Sequence, residues 1–257
     1  LPPGSVSELQ RSSAKRDGGW HVLAADGSEF RIDASQPIRH ASGDVSYSGT
    51  LRGASAEFTA FLTEGPDAAF GLWNTPRGRY RFESWGDRAW LIRLDHPSID
   101  VLEPDDEAVS PPTGSGSAES SDSPAPAGVS KLAAGTQIDV LFLVTAAFEA
   151  RYPGSARETR VRFLVDLANQ VFANSAVDLG LRLVGIDSSS YTDSGDNGTA
   201  LVLMQRALAG GSGVTPAFEG LRARRIAAGA DLVTLARPHD IEERGSCGIA
   251  YLFGRGE

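Results

Sequence analysis

The sequence has little sulfur and no long apolar run. Its 257 residues include one cysteine, Cys247, and one methionine. A single thiol cannot close an internal disulfide and cannot supply a four-cysteine zinc site. No apolar stretch approaches the roughly 20 residues that a membrane-spanning helix requires, so we expect no membrane partner.

Basic residues are also scarce. The chain has 24 Lys and Arg against 33 Asp and Glu, for a net charge of -9. No basic run could follow a phosphate backbone, which argues against nucleic acid as a partner. Hydrophobic residues make up 41% of the chain and charged residues 22%, a composition that excludes a disordered, collagen-like or coiled-coil protein.

An acidic segment divides the chain. Positions 103–131 are rich in Pro, Ser, Gly and Ala and hold no basic residue before Lys131. Such a segment cannot bury enough apolar surface to offset its ordering entropy, which predicts a flexible tether. We therefore predict a β-rich first part over 17–102, a tether over 103–131 and a second folded part over 132–257. The acids that give most of the net charge are Glu103, Asp105, Asp106, Glu107, Glu119 and Asp122.

The part before the tether has the pattern of a small antiparallel β domain. Short alternating apolar stretches recur, for example at 20–23, 58–62 and 90–94. Gly, Asp and Pro clusters separate them, as at 26–27 and 65–67, and this is typical of hairpin turns. All four tryptophans of the sequence lie in this part.

After the tether the pattern alternates between strands and helices. A nearly unbroken apolar run at 138–144 predicts a buried strand, and apolar residues at helical spacing predict a long amphipathic helix over 157–175. The other predicted elements are a strand at 181–186, helices at 199–209 and 216–228, a strand at 231–235 and a final strand from about Gly248. The expected fold class is α/β, with a mixed and mostly parallel sheet and backing helices, preceded by the small antiparallel β domain.

Three stretches have some character of a binding site. His239 and Glu243 would share a helical face, but two ligands do not make a metal site, and the flanking arginines favour a charged surface loop. Positions 187–190, Asp-Ser-Ser-Ser, are similar to metal-dependent adhesion motifs, yet Tyr191 stands where a second alternate hydroxyl belongs, so we interpret them as a turn ending a strand. The glycines at 210–213 lack the strand and the Gly-Lys-Ser/Thr of a phosphate loop, and they predict a helix end.

The remaining histidines and the cysteine complete no active site. The histidines, with the acids that follow two of them at i+4, are His21, His40 and Asp44, and His96 and Asp100. We interpret each histidine as a surface or strand residue, because these stretches are turn-rich. Cys247 has no basic partner at a defined spacing, so a packed thiol or half of a disulfide is favoured over a nucleophile.

Five pieces of the second part occur in an order known from one enzyme family. They are IDVLFLVT at 138–145, ANQ at 168–170 with NS at 174–175 and LRLVG at 181–185, YTDSG at 191–195, GADLV at 229–233, and CGIAYL at 247–252. Together they resemble the reprolysin-like (adamalysin-like) branch of the metzincin zinc endopeptidases, particularly its bacterial secreted members. The resemblance extends over roughly 137–253.

The resemblance implies a substrate site and a cofactor. In this family the last piece is an antiparallel edge strand, to which an extended peptide substrate adds through main-chain hydrogen bonds. The residues that would do so here are Gly248, Ile249, Ala250, Tyr251 and Leu252. The family's chemistry uses zinc held by three histidines of His-Glu-x-x-His-x-x-Gly-x-x-His, with the glutamate as general base. None of the four histidines of this chain fits that motif.

The absent motif implies that zinc binds elsewhere in a longer protein. In relatives the zinc helix follows shortly after the edge strand, so we expect no catalytic and no metal-binding residue within these 257, and no activity from this chain alone. We expect the precursor of a secreted or extracytoplasmic zinc endopeptidase, with calcium binding left open. The first part resembles the pro-region of such precursors, and we expect it to cover the cleft. Maturation cleavage is expected in the tether, near Lys131.

Two other classes of protein compete with the endopeptidase. The first is a non-enzymatic exported binding module, in which a degenerate protease-like fold presents an edge strand to a protein partner. The second is a cytosolic nucleotide-binding α/β domain, which is disfavoured because no glycine-rich turn follows Val144.

Overall fold

The computed structural model describes residues 19–94, 135–192, 196–238 and 248–251. Within these ranges the chain forms two β-sheets, four α-helices and one 3-10 helix. Among the described residues, no helix combines the length and the apolar character needed to cross a bilayer.

The first eight strands form one antiparallel sheet. Its order is β1-β2-β4-β5-β6-β7-β8, with the short β3 paired to β4, and the sheet curls into a half-barrel. The strands are β1 (Gly19–Leu23), β2 (Glu29–Ala34), β3 (Ile38–Arg39), β4 (Val45–Leu51), β5 (Thr59–Glu64), β6 (Ala68–Thr75), β7 (Gly78–Trp85) and β8 (Arg88–Arg93). Tight turns join neighbouring strands because short polar residues and glycine bend the chain, as where the Asp26 carboxylate accepts the Ser28 amide at 2.9 Å.

Both faces of this sheet are apolar over β5 and β6. Alternate side chains point to opposite faces, so Leu62 and Trp73 pack with the aromatic residues of β7, while Phe61 and Phe70 face the other way. A sheet that is apolar on both faces needs a second layer on each. The curled sheet fills one face with its own side chains, and the rest of the chain covers the other.

The second half is built around a parallel sheet of three strands with β9 at its centre and the order β10-β9-β11. A bulge between Leu183 and Gly185 interrupts the register of β10. The elements are β9 (Thr136–Thr145), α1 (Ala146–Arg151), α2 (Ala156–Asn174), β10 (Leu179–Ser189), α3 (Asn197–Ala209), the 3-10 helix (Pro216–Phe218), α4 (Leu221–Ala228) and β11 (Leu232–Ala236).

Helix α2 packs between the two sheets. Val161, Phe163 and Val165 of α2 belong to one buried cluster with Phe61 and Phe70 of the antiparallel sheet, and this cluster also contains apolar side chains of β9. The other face of the parallel sheet packs against α3, the 3-10 helix and α4 in a separate cluster. The described residues therefore form successive layers: antiparallel sheet, α2, parallel sheet, and a second helical layer.

The predicted fold class, a mixed and mostly parallel sheet with backing helices, is wrong. The structure is mostly antiparallel sheet, since eight of the eleven strands in the described ranges belong to the half-barrel. The prediction rested on the second half, where the apolar run at 138–144 indicates a buried strand and strands alternate with helices. That strand has only two partners in the described residues.

Two local predictions also differ from the structure. The helix predicted over 216–228 is divided, because Gly220 has a φ of +68°, a left-handed conformation that ends the helical path after Phe218. The strand predicted from Gly248 is absent at 248–250, and Tyr251 forms a single bridge. The helix end predicted at 210–213 is confirmed, since Gly210 is the left-handed C-cap of α3.

Candidate functional site

The predicted substrate strand lies beside helix α3. Gly248 and Ala250 are exposed, Ile249 and Tyr251 are partly buried, and Leu252 lies outside the described residues. The Tyr251 hydroxyl donates to Oε1 of Gln205 at 3.3 Å, and burial raises the pKa of this tyrosine. The role of these residues in main-chain pairing to a peptide stays a prediction.

Charged and hydroxyl side chains meet at the carboxyl end of β10. The Ser188 hydroxyl donates to Oε1 of Glu149 at 2.6 Å, and Arg157 of α2 donates to the same oxygen. The Ser188 hydrogen bond, and then the Arg157 guanidinium, lower the pKa of Glu149 while partial burial opposes them. Asp187 lies 3.6 Å from the Arg224 guanidinium. These contacts join α1, α2, β10 and α4.

The Asp-Ser-Ser-Ser run at 187–190 is part of the scaffold. Its first three residues are the last of β10. The Ser189 hydroxyl donates to the Ala217 carbonyl at 3.1 Å and accepts the Tyr191 amide at 3.2 Å. Both contacts hold the end of the strand against the second helical layer, as expected for a chain that turns at this point.

Asn169, in the ANQ piece of the resemblance, joins α2 to β10. Its amide nitrogen donates to the Leu181 carbonyl at 2.9 Å, and its carbonyl oxygen accepts the Leu181 amide at 2.7 Å. A side-chain amide that satisfies both backbone groups of one strand residue fixes the helix against the sheet. This pairing orients α2 within the second half.

A buried polar cluster joins the antiparallel sheet to α2. The Ser46 hydroxyl of β4 donates to Oδ2 of Asp166 at 2.6 Å and lies 2.8 Å from the Thr63 hydroxyl. Nε2 of His40 lies 2.7 Å from the same Asp166 oxygen. Asp166 is 7% exposed and Ser46 is 2% exposed, so these groups are shielded from water. Their pairing offsets the cost of burying a carboxylate beside apolar layers.

The serine, histidine and aspartate of this cluster do not form a catalytic triad. In a triad the aspartate and the serine contact opposite nitrogens of the imidazole, so that a proton can pass across the ring. Here both Asp166 and Ser46 approach Nε2 of His40, at 2.7 and 3.4 Å. The arrangement therefore supports a structural role.

A second polar contact lies nearby. The Thr159 hydroxyl of α2 donates to Oδ1 of Asp44 at 2.8 Å, and the Ser42 hydroxyl donates to the other oxygen of that carboxylate at 2.6 Å. Gly65 approaches the same pair so closely that a Cβ there would overlap the Thr159 hydroxyl and the Asp44 carboxylate. Only glycine fits this position without movement of its neighbours.

Sequence reasoning missed this cluster. His40 is neither a strand residue nor a surface residue: it follows β3, and its side chain is 12% exposed. The i+4 spacing of His40 and Asp44 reflects the turn from β3 to β4, where the His40 amide donates to the Asp44 carbonyl at 2.9 Å. No local signal identifies Asp166 as the partner. His21 is confirmed as a strand residue of β1.

The described residues do not fit a zinc ion. Among them no three His, Cys, Asp or Glu side chains come together in a group that could hold a metal. His96, Cys247 and the segment from His239 to Glu243 lie outside the described residues. No zinc-dependent step is assigned to any residue of the described part of the chain.

Comparison with known proteins shows a partial similarity to one class of enzyme. The chain is a distant homologue of a metalloendopeptidase, a hydrolase that cleaves peptide bonds. The similar protein is the peptidyl-Asp metalloendopeptidase of Stenotrophomonas maltophilia (strain R551-3), which is 31% identical over 124 residues. The matched region is 48% of this chain and spans 28% of that protein. No protein-family model matches the chain.

Proposed function

We propose that this chain is the pro-region and the N-terminal part of the catalytic domain of a secreted zinc-dependent endopeptidase of the reprolysin-like metzincin type. The observation that carries the proposal is the 31% identity over 124 residues to a named metalloendopeptidase. The five ordered pieces between 138 and 252 support the metzincin assignment. Zinc would be held by histidines that are not among these 257 residues.

The described residues would supply scaffold and substrate contact. A peptide would lie along 248–252 and pair through backbone groups, a mode that gives affinity without depending on the substrate side chains. Residues 17–102 would be the pro-region. The packing of the antiparallel sheet on α2 supports a folding role for it, because the sheet covers one face of a helix that otherwise exposes apolar residues such as Phe163. Coverage of the cleft stays a proposal.

The test compares this chain with the product of the complete gene. Both proteins are assayed with quenched peptides that contain aspartate, because the relative is named for peptidyl-Asp, and both are titrated with zinc. We expect the complete product to cleave peptides and to lose at least about tenfold in rate with a zinc chelator, since the metal activates the attacking water. We expect the 257 residues alone neither to cleave nor to bind zinc tightly.

Two results would contradict the proposal. One is tight, stoichiometric zinc uptake by these 257 residues. The other is a complete gene product that cleaves no peptide, or cleaves equally well with the chelator present. A gene product without the zinc motif that captures an extended peptide would instead support the non-enzymatic binding module.

A further inference from the structure

An aromatic cluster lies between the antiparallel sheet and the second half. Phe163 of α2 lies 5.8 Å from Phe61 and 6.2 Å from Phe70, measured between ring centroids. Tyr152 lies 5.5 Å from Phe70 and 5.1 Å from Trp85, with its ring edge-on to both. These geometries are the favourable ones for aromatic pairs, and they bury large apolar area on each side.

Arg160 inserts into this aromatic cluster from α2. Its guanidinium lies 5.2 Å from the Phe70 ring centroid, 5.3 Å from Phe163 and 5.7 Å from Tyr152. Burial lowers the pKa of Arg160, and Tyr152 and Glu83 oppose this shift. The buried Glu83 carboxylate of β7 lies 3.7 Å from the guanidinium and 3.1 Å from Arg81. An arginine surrounded by aromatic rings and a carboxylate is typical of the residues that dominate binding energy at interfaces.

The interface thus has the composition of a binding site between two proteins. Its centre is aromatic with one partly buried arginine, and polar pairs lie beside it: Asp166 with Ser46 and His40, and Thr159 with Asp44. At a further point the Ser155 hydroxyl donates to Asp67 at 2.7 Å. These polar contacts each join residues 19–94 to residues 155–166 of the second half.

We infer that residues 19–94 stay bound to α2 as a separate chain after the polypeptide is cut between 94 and 135. Cleavage there then yields a two-chain complex. Release of the antiparallel sheet requires a second event, such as proteolysis within the sheet itself. If the proposed function is correct, maturation therefore has two steps, and the first cut alone does not expose α2.

The sequence supplies a direct test. It contains two lysines, Lys15 and Lys131, so a lysine-specific endopeptidase cuts the native chain into residues 16–131 and 132–257, together with the short N-terminal peptide. A Ser117→Lys variant adds a further cut position within the acidic segment. Denaturing electrophoresis reports the cut, and size-exclusion chromatography with native mass spectrometry reports whether the two fragments remain together.

We expect the wild-type fragments to co-elute at micromolar concentration with the summed mass of both. An Arg160→Ala variant should raise the dissociation constant of the cut complex at least about tenfold, as for other buried arginine anchors. Gly65→Val should also raise this dissociation constant, because the added side chain would overlap the Thr159 hydroxyl and the Asp44 carboxylate. Arg157→Ala is the matched control: it removes an arginine from the same helix, but its partners Glu149 and Glu158 lie in the second half.

The inference is overturned if the wild-type fragments elute separately after the cut, or if Arg160→Ala and Arg157→Ala dissociate equally. If Arg160→Ala fails to fold, the wild-type digestion and the Gly65→Val variant still test whether the two fragments stay bound. The experiment measures the mass of the complex and needs neither zinc nor peptidase activity. Its failure is therefore distinguishable from a failure of the proposed function.

Discussion

Replacing Phe70 by alanine should lower the free energy of unfolding by about 3 to 5 kcal/mol, the range for large aromatic truncations in a packed core. Phe70 is fully buried, and its ring lies within 6.2 Å of the rings of Trp85, Tyr152 and Phe163. Truncation removes aromatic contacts to both halves of the chain and leaves a cavity under the Arg160 guanidinium. The loss is measured by urea denaturation.

Phe30→Ala is the control for this truncation. Phe30 is partly buried in the other apolar cluster of the antiparallel sheet, away from α2. Its replacement should cost less, because less area leaves contact with the core. Equal losses for the two variants, or a loss below about 1 kcal/mol for Phe70→Ala, would contradict the assignment of Phe70 to the shared core.

Replacing Asp166 by alanine should cost about 3 kcal/mol, because it removes the carboxylate that Ser46 and His40 both contact from a largely buried hydrogen-bonded group. The Ser46 hydroxyl donates to Asp166 at 2.6 Å, Nε2 of His40 lies 2.7 Å from the same carboxylate, and both Ser46 and Asp166 are buried. Denaturant unfolding of the variant and the wild type at one pH gives the difference.

A double-mutant cycle with Ser46→Ala isolates the contact between the two halves. Residues that share a buried hydrogen bond couple by about 0.5 to 3 kcal/mol, so the double variant should lose less than the sum of the single variants. Asp166→Ala combined with Ser28→Ala is the comparison, since Ser28 contacts Asp26 in a distant turn. Additive losses for the Ser46 pair would show that the two side chains do not interact.

Local patterns predicted most of the individual elements. Alternating apolar residues between turn signals are typical of hairpins, and the strands near 20–23, 59–62 and 90–93 occur where the sequence indicates them. The amphipathic spacing from 157 to 175 marks α2 to within one residue at each end. These signals are local, since hydrogen bonds and side-chain period are fixed over a few residues.

The arrangement of these elements could not be predicted in the same way. Asp166 and Ser46 are 120 residues apart in sequence, and no residue pattern near either one indicates that the two are in contact. The apolar residues Phe61 and Phe70 fit a sheet with two buried faces, but the pattern does not say which helix covers the second face. The acidic segment at 103–131 divides the sequence into two parts, and no local signal indicates which side chains of the two parts pack together.

Prediction of the candidate site from the sequence was limited in the same way. The substrate role of 248–252 came from a resemblance, and Tyr251 contacts Gln205 of α3 in a way that no spacing rule indicates. The sequence alone shows that the zinc motif is absent, whereas the burial of Asp44 and the partial burial of His40 are properties of the folded chain. A pattern identifies residue types, and tertiary packing decides which of them are buried together.

We expect helix α2 to join both sheets into one cooperative unit, and the chain carries a separate spectroscopic probe for each half. Its four tryptophans lie in the antiparallel sheet, whereas the α-helices of the described residues lie in the second half. Urea unfolding is therefore followed by tryptophan fluorescence and by circular dichroism at about 222 nm, a comparison of probes that tests for a single transition. We expect the two unfolding curves to coincide. Two separated midpoints would show that the two sheets unfold independently and that α2 does not join them.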